Sequence, residues 1–309
     1  MKILIIGGFL GAGKTRFIQK MAQKLEREFV IVENEFSKID VDAKTLRENK
    51  EMKIFELSEG CICCSLNLDF TQSLLTIKNT LNPDYLIVEP SGVATVSQII
   101  AKLKNIVYED IKIIPPITIV DAENYKTEKE DFSTYFYDQL TSARHIIVSK
   151  SEKLREEDFR RMKEELEIKD TQNFYTKHYD RFTKEDFEKL LLEEIAFTDG
   201  GMEIKKVELK ESEKLDNISF EMTSLKTLPQ IIKLLEDVIR GRFGKIIRAK
   251  GYISLSGGAI KFDLVDRKYA ITGAEENTTG FVFIGKNLDK KSLTHYVVEK
   301  NKMRKLKRS

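Results

Sequence analysis

The first 200 residues alternate short apolar runs with amphipathic stretches. The apolar runs are nearly continuous, as in parallel strands covered by helices on both faces, and cover residues 2–7, 29–33, 52–57, 85–89, 113–120 and 145–149. Amphipathic stretches between them predict helices at residues 14–28, 69–80, 95–103, 132–143 and 156–166. Alternating strands and helices imply right-handed βαβ crossovers. The sequence therefore predicts an α/β fold with a mostly parallel sheet flanked by helices.

The order of elements changes after residue 200. Closely spaced strands are predicted at residues 218–222, 246–255, 259–265, 269–272 and 280–284, with one helix at 229–239. Hairpin-spaced strands with few helices indicate a small α+β domain. We therefore predict a first domain over residues 1–200, a linker over 201–215, and an α+β domain over 216–309 that ends in a basic helix.

Composition and charge restrict the function classes. The chain has 309 residues, of which 41% are hydrophobic and 33% charged, as in a folded globular protein. No apolar run approaches the roughly 18 to 20 residues that span a bilayer, and the N-terminus lacks the pattern of a signal peptide, so we expect a cytoplasmic protein without a membrane partner. The net charge of +2 gives no field that would attract nucleic acid, and the basic residues near the C-terminus are interpreted as a solvated face.

The strongest motif is GFLGAGKT at residues 8–15, which matches GxxxxGK[ST] between a strand and a helix. Backbone N–H groups in such a loop surround phosphates at a helix N-terminus, where the helix dipole favours anions. Lys14 adds a positive charge near the β- and γ-phosphates, and the Thr15 hydroxyl is expected to ligate Mg²⁺. The predicted phosphate-binding residues are Gly8, Gly11, Ala12, Gly13, Lys14, Thr15 and Arg16.

Two further segments extend the predicted nucleotide site. Glu89 ends a predicted strand, where its carboxylate can hold Mg²⁺ through water, and the Gly92 amide can approach the γ-phosphate. The segment SKSE, from Ser149 through Lys150 to Glu152, follows another predicted strand in the place of the guanine-binding [NT]KxD signature. The Lys150 stem would pack on the purine, and Glu152 would accept hydrogen bonds from guanine. Because Ser and Glu replace the usual residues, the choice between GTP and ATP stays open.

All three cysteines lie within four residues, at Cys61, Cys63 and Cys64. Such crowded thiols make a poor disulfide framework, so we interpret them as ligands of a soft or borderline cation. Zn²⁺ suits them, with Co²⁺, Ni²⁺ or Fe²⁺ as alternatives. Because no second cysteine or histidine pair completes a closed site, a carboxylate is expected to contribute. The nearest candidates are Glu33 and Glu35, at the end of the second predicted strand.

The P-loop, residues 33–36, the segment GCICCS at residues 60–65 and the ExxG at residues 89–92 together resemble the CobW-like metallochaperone GTPases, which are relatives of UreG and HypB. The resemblance continues at residues 248–252, which are similar to the RxKG segment of the CobW C-terminal domain, and at residues 283–285, which are similar to its final strand.

The resemblance implies a P-loop GTPase in which GTP orders mobile loops around the cysteines and hydrolysis lets the metal pass to a client metalloprotein. It implies that Lys14 and Thr15 hold phosphate and Mg²⁺, and that Glu89 takes the place of the usual Walker B aspartate. It also implies that Cys63 and Cys64, with Cys61 and Glu33, bind the metal. The histidine-rich stretch of some relatives is absent, since the chain has only three histidines, which are interpreted as core or surface residues.

The leading hypothesis is therefore a slow hydrolase that uses GTP or GDP with Mg²⁺ and carries a divalent transition metal, zinc foremost. An alternative is a nucleotide-driven activator of a partner metalloenzyme, in which the cysteines act as a redox sensor. A third hypothesis is a P-loop kinase, for which the sequence offers no acceptor site or base. The sequence leaves the metal, the client and the choice between monomer and homodimer open.

Overall fold

The computed structural model describes residues 1–33, 52–56, 67–90, 92, 94–107, 110–195, 215–255, 258–265, 267–274 and 279–299. These residues belong to two compact units, the first within residues 1–195 and the second within residues 215–299. The predicted linker, residues 201–215, lies outside the described residues except for its last position.

The first unit is built around a parallel sheet that confirms the predicted fold class. Its described strands are β1 (Lys2–Gly8), β2 (Phe29–Glu33), β3 (Met52–Glu56), β4 (Tyr85–Glu89), β5 (Lys112–Asp121), β6 (His145–Ser149) and β7 (Asn173–Tyr175). They lie in the order β3-β2-β4-β1-β5-β6-β7, and every described pair of neighbours is parallel. The carboxyl ends of the strands therefore meet at one edge, where α/β sheets bind their ligands.

Helices cover both faces of this sheet. They are α1 (Lys14–Leu25), α2 (Asn67–Leu81), α3 (Val96–Leu103), α4 (Tyr125–Asp131), α5 (Ser133–Ser142), α6 (Glu156–Glu165) and α7 (Lys184–Lys189), with 3₁₀ turns at Lys104–Ile106 and Tyr179–Arg181. Leu4 and Ile6 of β1 pack with α1, whereas Ile3 and Ile5 pack with α3. Since both faces of β1 are buried, its apolar run is continuous rather than alternating.

The end of α1 differs from the prediction. The helix was expected to continue to residue 28, but it ends at Leu25. Glu26 adopts a left-handed conformation with φ of 51°, and its N–H donates to the carbonyl of Ala22. This cap satisfies one of the last free carbonyls of the helix and turns the chain toward β2.

The second unit is an antiparallel sheet with helices. Its elements are β8 (Asp216–Phe220), α8 (Leu228–Ile239), β9 (Lys245–Leu255), β10 (Gly258–Val265), β11 (Lys268–Ala274), β12 (Gly280–Lys286) and α9 (Lys290–Thr294), followed by a π-helical turn at His295–Glu299. The strand order is β11-β10-β9-β12-β8. Apolar residues of α8 and of the strands form one core, as predicted for a small α+β domain. The basic residues 300–309 lie outside the described residues. No helix in the described part of the chain has the length and apolar character needed to cross a bilayer.

Candidate nucleotide-binding site

The phosphate-binding loop connects β1 to α1 at the carboxyl edge of the sheet. Gly8, Gly11 and Gly13 have φ values of 142°, 77° and 94°, which is backbone conformation that favours glycine. A Cβ on Gly8 would also lie 2.6 Å from the carbonyl oxygen of Ile119 on β5. The Ala12 N–H donates to the Phe9 carbonyl at 3.1 Å, which closes the turn. Gly13 precedes α1 without a side chain that could cap it, so the first N–H groups of the helix suit an anion.

Two side chains of the first turn of α1 occupy the positions that the motif requires. The Lys14 ammonium is buried and donates to the carbonyls of Gly8 and Phe9, at 3.0 and 3.4 Å. The Thr15 hydroxyl donates to Glu89 Oε1 at 3.0 Å, across to the end of β4. The hydroxyl and the carboxylate are hard oxygen donors of the kind that Mg²⁺ prefers. The two residues that the sequence assigned to Mg²⁺ are therefore in direct contact.

Gly92 lies against the phosphate-binding loop. A Cβ at this position would be 2.4 Å from the backbone nitrogen of Leu10 and 2.8 Å from the carbonyl carbon of Phe9. Gln139 of α5 holds the segment from the other side, because its amide donates to the carbonyls of Gly92 and Ala94, each at 3.0 Å. The sequence prediction included Gly92 but missed Gln139, which lies inside a helix without any recognisable motif.

The segment after β6 contains the residues predicted to select the base. The Ser149 hydroxyl donates to the carbonyl of Val120, and Lys150, with φ of 52°, forms an ion pair with Asp121 at the end of β5. Glu152 projects into a more open position, where its Oε1 lies 3.4 Å from His178 Nε2. These loops follow neighbouring parallel strands and therefore share the edge of the sheet with the P-loop.

His178 is held in one orientation by its surroundings. Its ring stacks on the Tyr179 ring with centroids 4.5 Å apart, and its Nδ1 accepts the N–H of Asp180 at 3.2 Å. An Nδ1 that accepts a hydrogen bond leaves the proton of neutral imidazole on Nε2, which faces Glu152. His178 was predicted to be a core or surface residue rather than a ligand. It is buried, and the fold brings its Nε2 close to Glu152.

The segment after β7 also contacts the first turn of α1. Arg16 pairs with Asp180 at 2.6 Å, and a Cβ on Gly13 would lie 3.2 Å from the Tyr179 hydroxyl. Burial raises the pKa of Tyr179 to about 12, so this hydroxyl stays protonated at neutral pH. The contacts connect the base side of the site to its phosphate side.

The predicted metal ligands are only partly within the described residues. Cys61, Cys63 and Cys64 lie outside them, and Glu33 is described through its backbone as the last residue of β2. Glu33 is in register with Glu89 of β4 on one side and with Glu56 of β3 on the other. Among the described side chains, no group of three or more His, Cys, Asp or Glu is placed to hold a metal ion.

Comparison with known families agrees with this geometry. Residues 2–176 match the CobW/HypB/UreG nucleotide-binding domain. The chain belongs to the CobW/HypB/UreG family. Residues 218–297 match the cobalamin synthesis protein cobW C-terminal domain, so both described units of this family member have a counterpart. The resemblance predicted from the motifs is confirmed.

Individual relatives match over shorter stretches. The zinc chaperone YeiR of Escherichia coli is 33% identical over 152 residues, covering 48% of this chain and 46% of YeiR. The zinc chaperone CobW of Sinorhizobium sp is 28% identical over 177 residues, covering 48% of this chain and 50% of that protein. The chain therefore spans about half the length of the curated relatives that it matches. Among solved structures, the Zn(II)-bound YjiA GTPase from E. coli is 21% identical with a TM-score of 0.43, covering 96% of this chain and 97% of YjiA.

Proposed function

We propose that this protein is a GTP-driven metallochaperone that hydrolyses GTP to GDP and phosphate and thereby gates the transfer of a transition metal, zinc foremost, to a client metalloprotein. The observation that carries the proposal is the contact between Thr15 and Glu89, together with the register that places Glu33 beside Glu89 on the next strand. A residue of the nucleotide site and a predicted metal ligand thus end neighbouring strands. Relatives named zinc chaperones support the choice of metal.

On the nucleotide side, the P-loop amides and Lys14 would hold the phosphates. Thr15 directly, and Glu89 through water, would hold Mg²⁺, which neutralises charge on the β- and γ-phosphates. Gly92 packs closely against the P-loop, and its backbone amide would contact the terminal phosphate. GTP and GDP differ only in that phosphate, so the segment after Glu89 is the part of the site that would distinguish them.

On the base side, Glu152 would select guanine. A carboxylate accepts the two hydrogens that guanine presents on N1 and N2, whereas adenine presents an acceptor at N1. Glutamate is one methylene longer than the aspartate of the usual signature. The Nε2 atom of His178 lies 3.4 Å from Glu152 Oε1 and would help to hold this longer side chain in place.

On the metal side, Cys61, Cys63 and Cys64 would bind the cargo with Glu33. The cysteine segment follows β3, and β3 is the direct neighbour of β2. Hydrolysis would move the segment after β4. Because β2 and β3 end at the same edge of the sheet, this movement would alter the surroundings of the proposed metal ligands. A coupling free energy of about 1 to 3 kcal/mol between the two sites changes metal affinity by up to about a hundredfold, enough to load and release a metal.

The experiment is a zinc titration of the full chain with Mg²⁺ and either GDP or a non-hydrolysable GTP analogue. We expect tighter zinc binding in the triphosphate state, and loss of high-affinity binding in the double variant Cys63→Ser/Cys64→Ser. Glu33→Gln should weaken zinc binding, whereas Glu56→Gln, at the matched position of the adjacent strand, serves as its control. Equal zinc affinities in the two nucleotide states would contradict the proposal.

A further inference from the structure

Helix α5 presents two consecutive buried polar residues, Asp138 and Gln139, to the segment that follows β4. Gln139 is 2% exposed, and its side-chain amide donates to two carbonyls of that segment, those of Gly92 and Ala94, at 3.0 Å each. Gln139 therefore uses both of its side-chain N–H donors on one short stretch of backbone.

The backbone of Gln139 is itself anchored to the centre of the sheet. The Thr118 hydroxyl on β5 donates to the Gln139 carbonyl at 2.7 Å. Thr118 is in register with Gly7, at the end of the strand that leads into the P-loop. Gln139 is thus anchored to β5, the strand beside the one that leads into the phosphate-binding loop.

Asp138 holds the next element along the chain. Its Oδ2 accepts the N–H of Ser97 at 3.2 Å, in the first turn of α3. Burial raises the pKa of the Asp138 carboxyl above its usual range. Asp138 and Gln139 together hold the backbone of Gly92, Ala94 and Ser97 against α5.

This arrangement leaves Gly92 little freedom. Its carbonyl is held by Gln139 on one side, and its Cα faces the backbone of Phe9 and Leu10 on the other. Buried carbonyls that lose a donor cost free energy, so the segment would move to find another partner if Gln139 were removed. Any such movement displaces Gly92 relative to the P-loop.

We propose that Gln139 is a positioning residue that holds Gly92 ready for the terminal phosphate of bound GTP and thereby sets the preference of the site for GTP over GDP. The inference rests on the proposed nucleotide site. It assigns this preference to a helix residue that acts through the backbone of Gly92 and Ala94 and lies outside the P-loop motif. GDP lacks the terminal phosphate, so its affinity does not depend on where Gly92 lies.

The chain offers a matched control in Gln172. Its side-chain amide also donates to two backbone carbonyls, those of Leu140 and Ala143, at 2.8 Å each. Replacing either glutamine with methionine removes two hydrogen bonds to backbone carbonyls while keeping a side chain of similar length. Gln172→Met also removes the hydrogen bond from the Lys169 N–H to the Gln172 Oε1, so it is the more disruptive of the two changes to local structure. A residue that merely supports the fold would show the same effect at both positions.

The test compares Gln139→Met and Gln172→Met in the full chain with Mg²⁺. Affinities for GDP and a non-hydrolysable GTP analogue are measured by calorimetry, and kcat and KM for GTP by phosphate release. Since each hydrogen bond contributes a factor of about two to ten, we expect Gln139→Met to lower the ratio of GTP-analogue to GDP affinity about fivefold. Its kcat should fall, and its GDP affinity should stay within about twofold of wild type. Gln172→Met should keep the wild-type ratio and kcat.

A second variant covers the case in which Gln139→Met does not fold. Thr118→Val removes only the hydrogen bond to the Gln139 carbonyl and is expected to lower the ratio in the same direction by a smaller factor. An unchanged ratio in the folded variants, or an equal fall in Gln172→Met, would overturn the inference. A different measurement tests the proposed function: it would be refuted if the wild-type protein bound zinc equally tightly with GDP and with the GTP analogue.

Discussion

Replacing Gly92 with alanine would test the close approach between the segment after β4 and the phosphate-binding loop. The added Cβ would lie 2.4 Å from Leu10 N, 2.8 Å from Leu10 Cα and 2.8 Å from the Phe9 carbonyl carbon. All three are backbone atoms, so rotation of a side chain cannot relieve the contact. Ordinary contacts begin at 3.4 Å, so the two segments must separate by 3.4 − 2.4 = 1.0 Å.

This separation predicts a large loss of activity and a moderate loss of stability. Displacement of a positioned group by about 1 Å can reduce a reaction rate about a hundredfold. Overpacking typically costs about 1 to 3 kcal/mol of stability. We therefore expect Gly92→Ala to hydrolyse GTP about a hundredfold more slowly. Its GDP affinity should change much less, because GDP lacks the terminal phosphate that Gly92 is proposed to contact.

The assay is single-turnover GTP hydrolysis, with GDP affinity and urea unfolding measured on the same preparations. Gly273→Ala is the control, because a Cβ there would have no described heavy atom within 4 Å beyond its chain neighbours, and the backbone is outside the left-handed region. It should leave hydrolysis unchanged. A Gly92→Ala protein that hydrolyses GTP at the wild-type rate would refute the assignment of Gly92 to the terminal phosphate.

Three further predictions concern other parts of the first unit. Mg²⁺ should strengthen binding of the GTP analogue in Thr15→Ser but not in Thr15→Val, because only serine keeps the hydroxyl. If Mg²⁺ strengthened binding equally in both variants, the Thr15 hydroxyl would not be a Mg²⁺ ligand. His178→Leu should reduce the preference for GDP over ADP by up to about fivefold, as expected for loss of one contact with a largely exposed carboxylate, and His178→Gln should restore part of it. A preference unchanged in His178→Leu would argue against this pairing. Burial lowers the pKa of His145 from 6.5 to about 4. As the pH falls from 6.5 to 4, the imidazole is therefore protonated in the unfolded chain before it is protonated in the folded one. The free energy of unfolding should fall by about 3 kcal/mol over this range. Urea unfolding across this range should show a smaller decrease for His145→Gln, and equal decreases would contradict the buried neutral imidazole.

The fold could be predicted because burial on both faces gives each parallel strand a continuous apolar run. The predicted bounds of β2, β4 and β6 coincide with those observed. In contrast, β7 was missed, because this three-residue strand at the edge of the sheet is only partly buried and lacks such a run. Helix α4 was also missed, since its seven residues are mostly charged and show little apolar periodicity.

The phosphate side of the site could be predicted because its chemistry is local in sequence. Residues 8–15 form the P-loop by themselves, with glycines wherever the backbone is left-handed. Gln139 and His178 could not be found in this way. Their partners, Gly92 and Glu152, are distant in sequence, and only the packing of α5 and the order of β6 and β7 bring them together. The role of the three cysteines remains a prediction.

The strand order of the first unit has a consequence for protein engineering. β4 separates β2 and β3 from β1, β5, β6 and β7, which deliver the P-loop and the base-side loops. The segments that follow β2 and β3 could therefore be exchanged for those of a relative, while the strands that deliver the P-loop and the base-side loops are left unchanged. Glu89, at the end of the dividing strand, is the residue that such a graft should preserve. Under the proposed function, changing the metal specificity and changing the nucleotide affinity would then be separate design problems that meet at this one carboxylate.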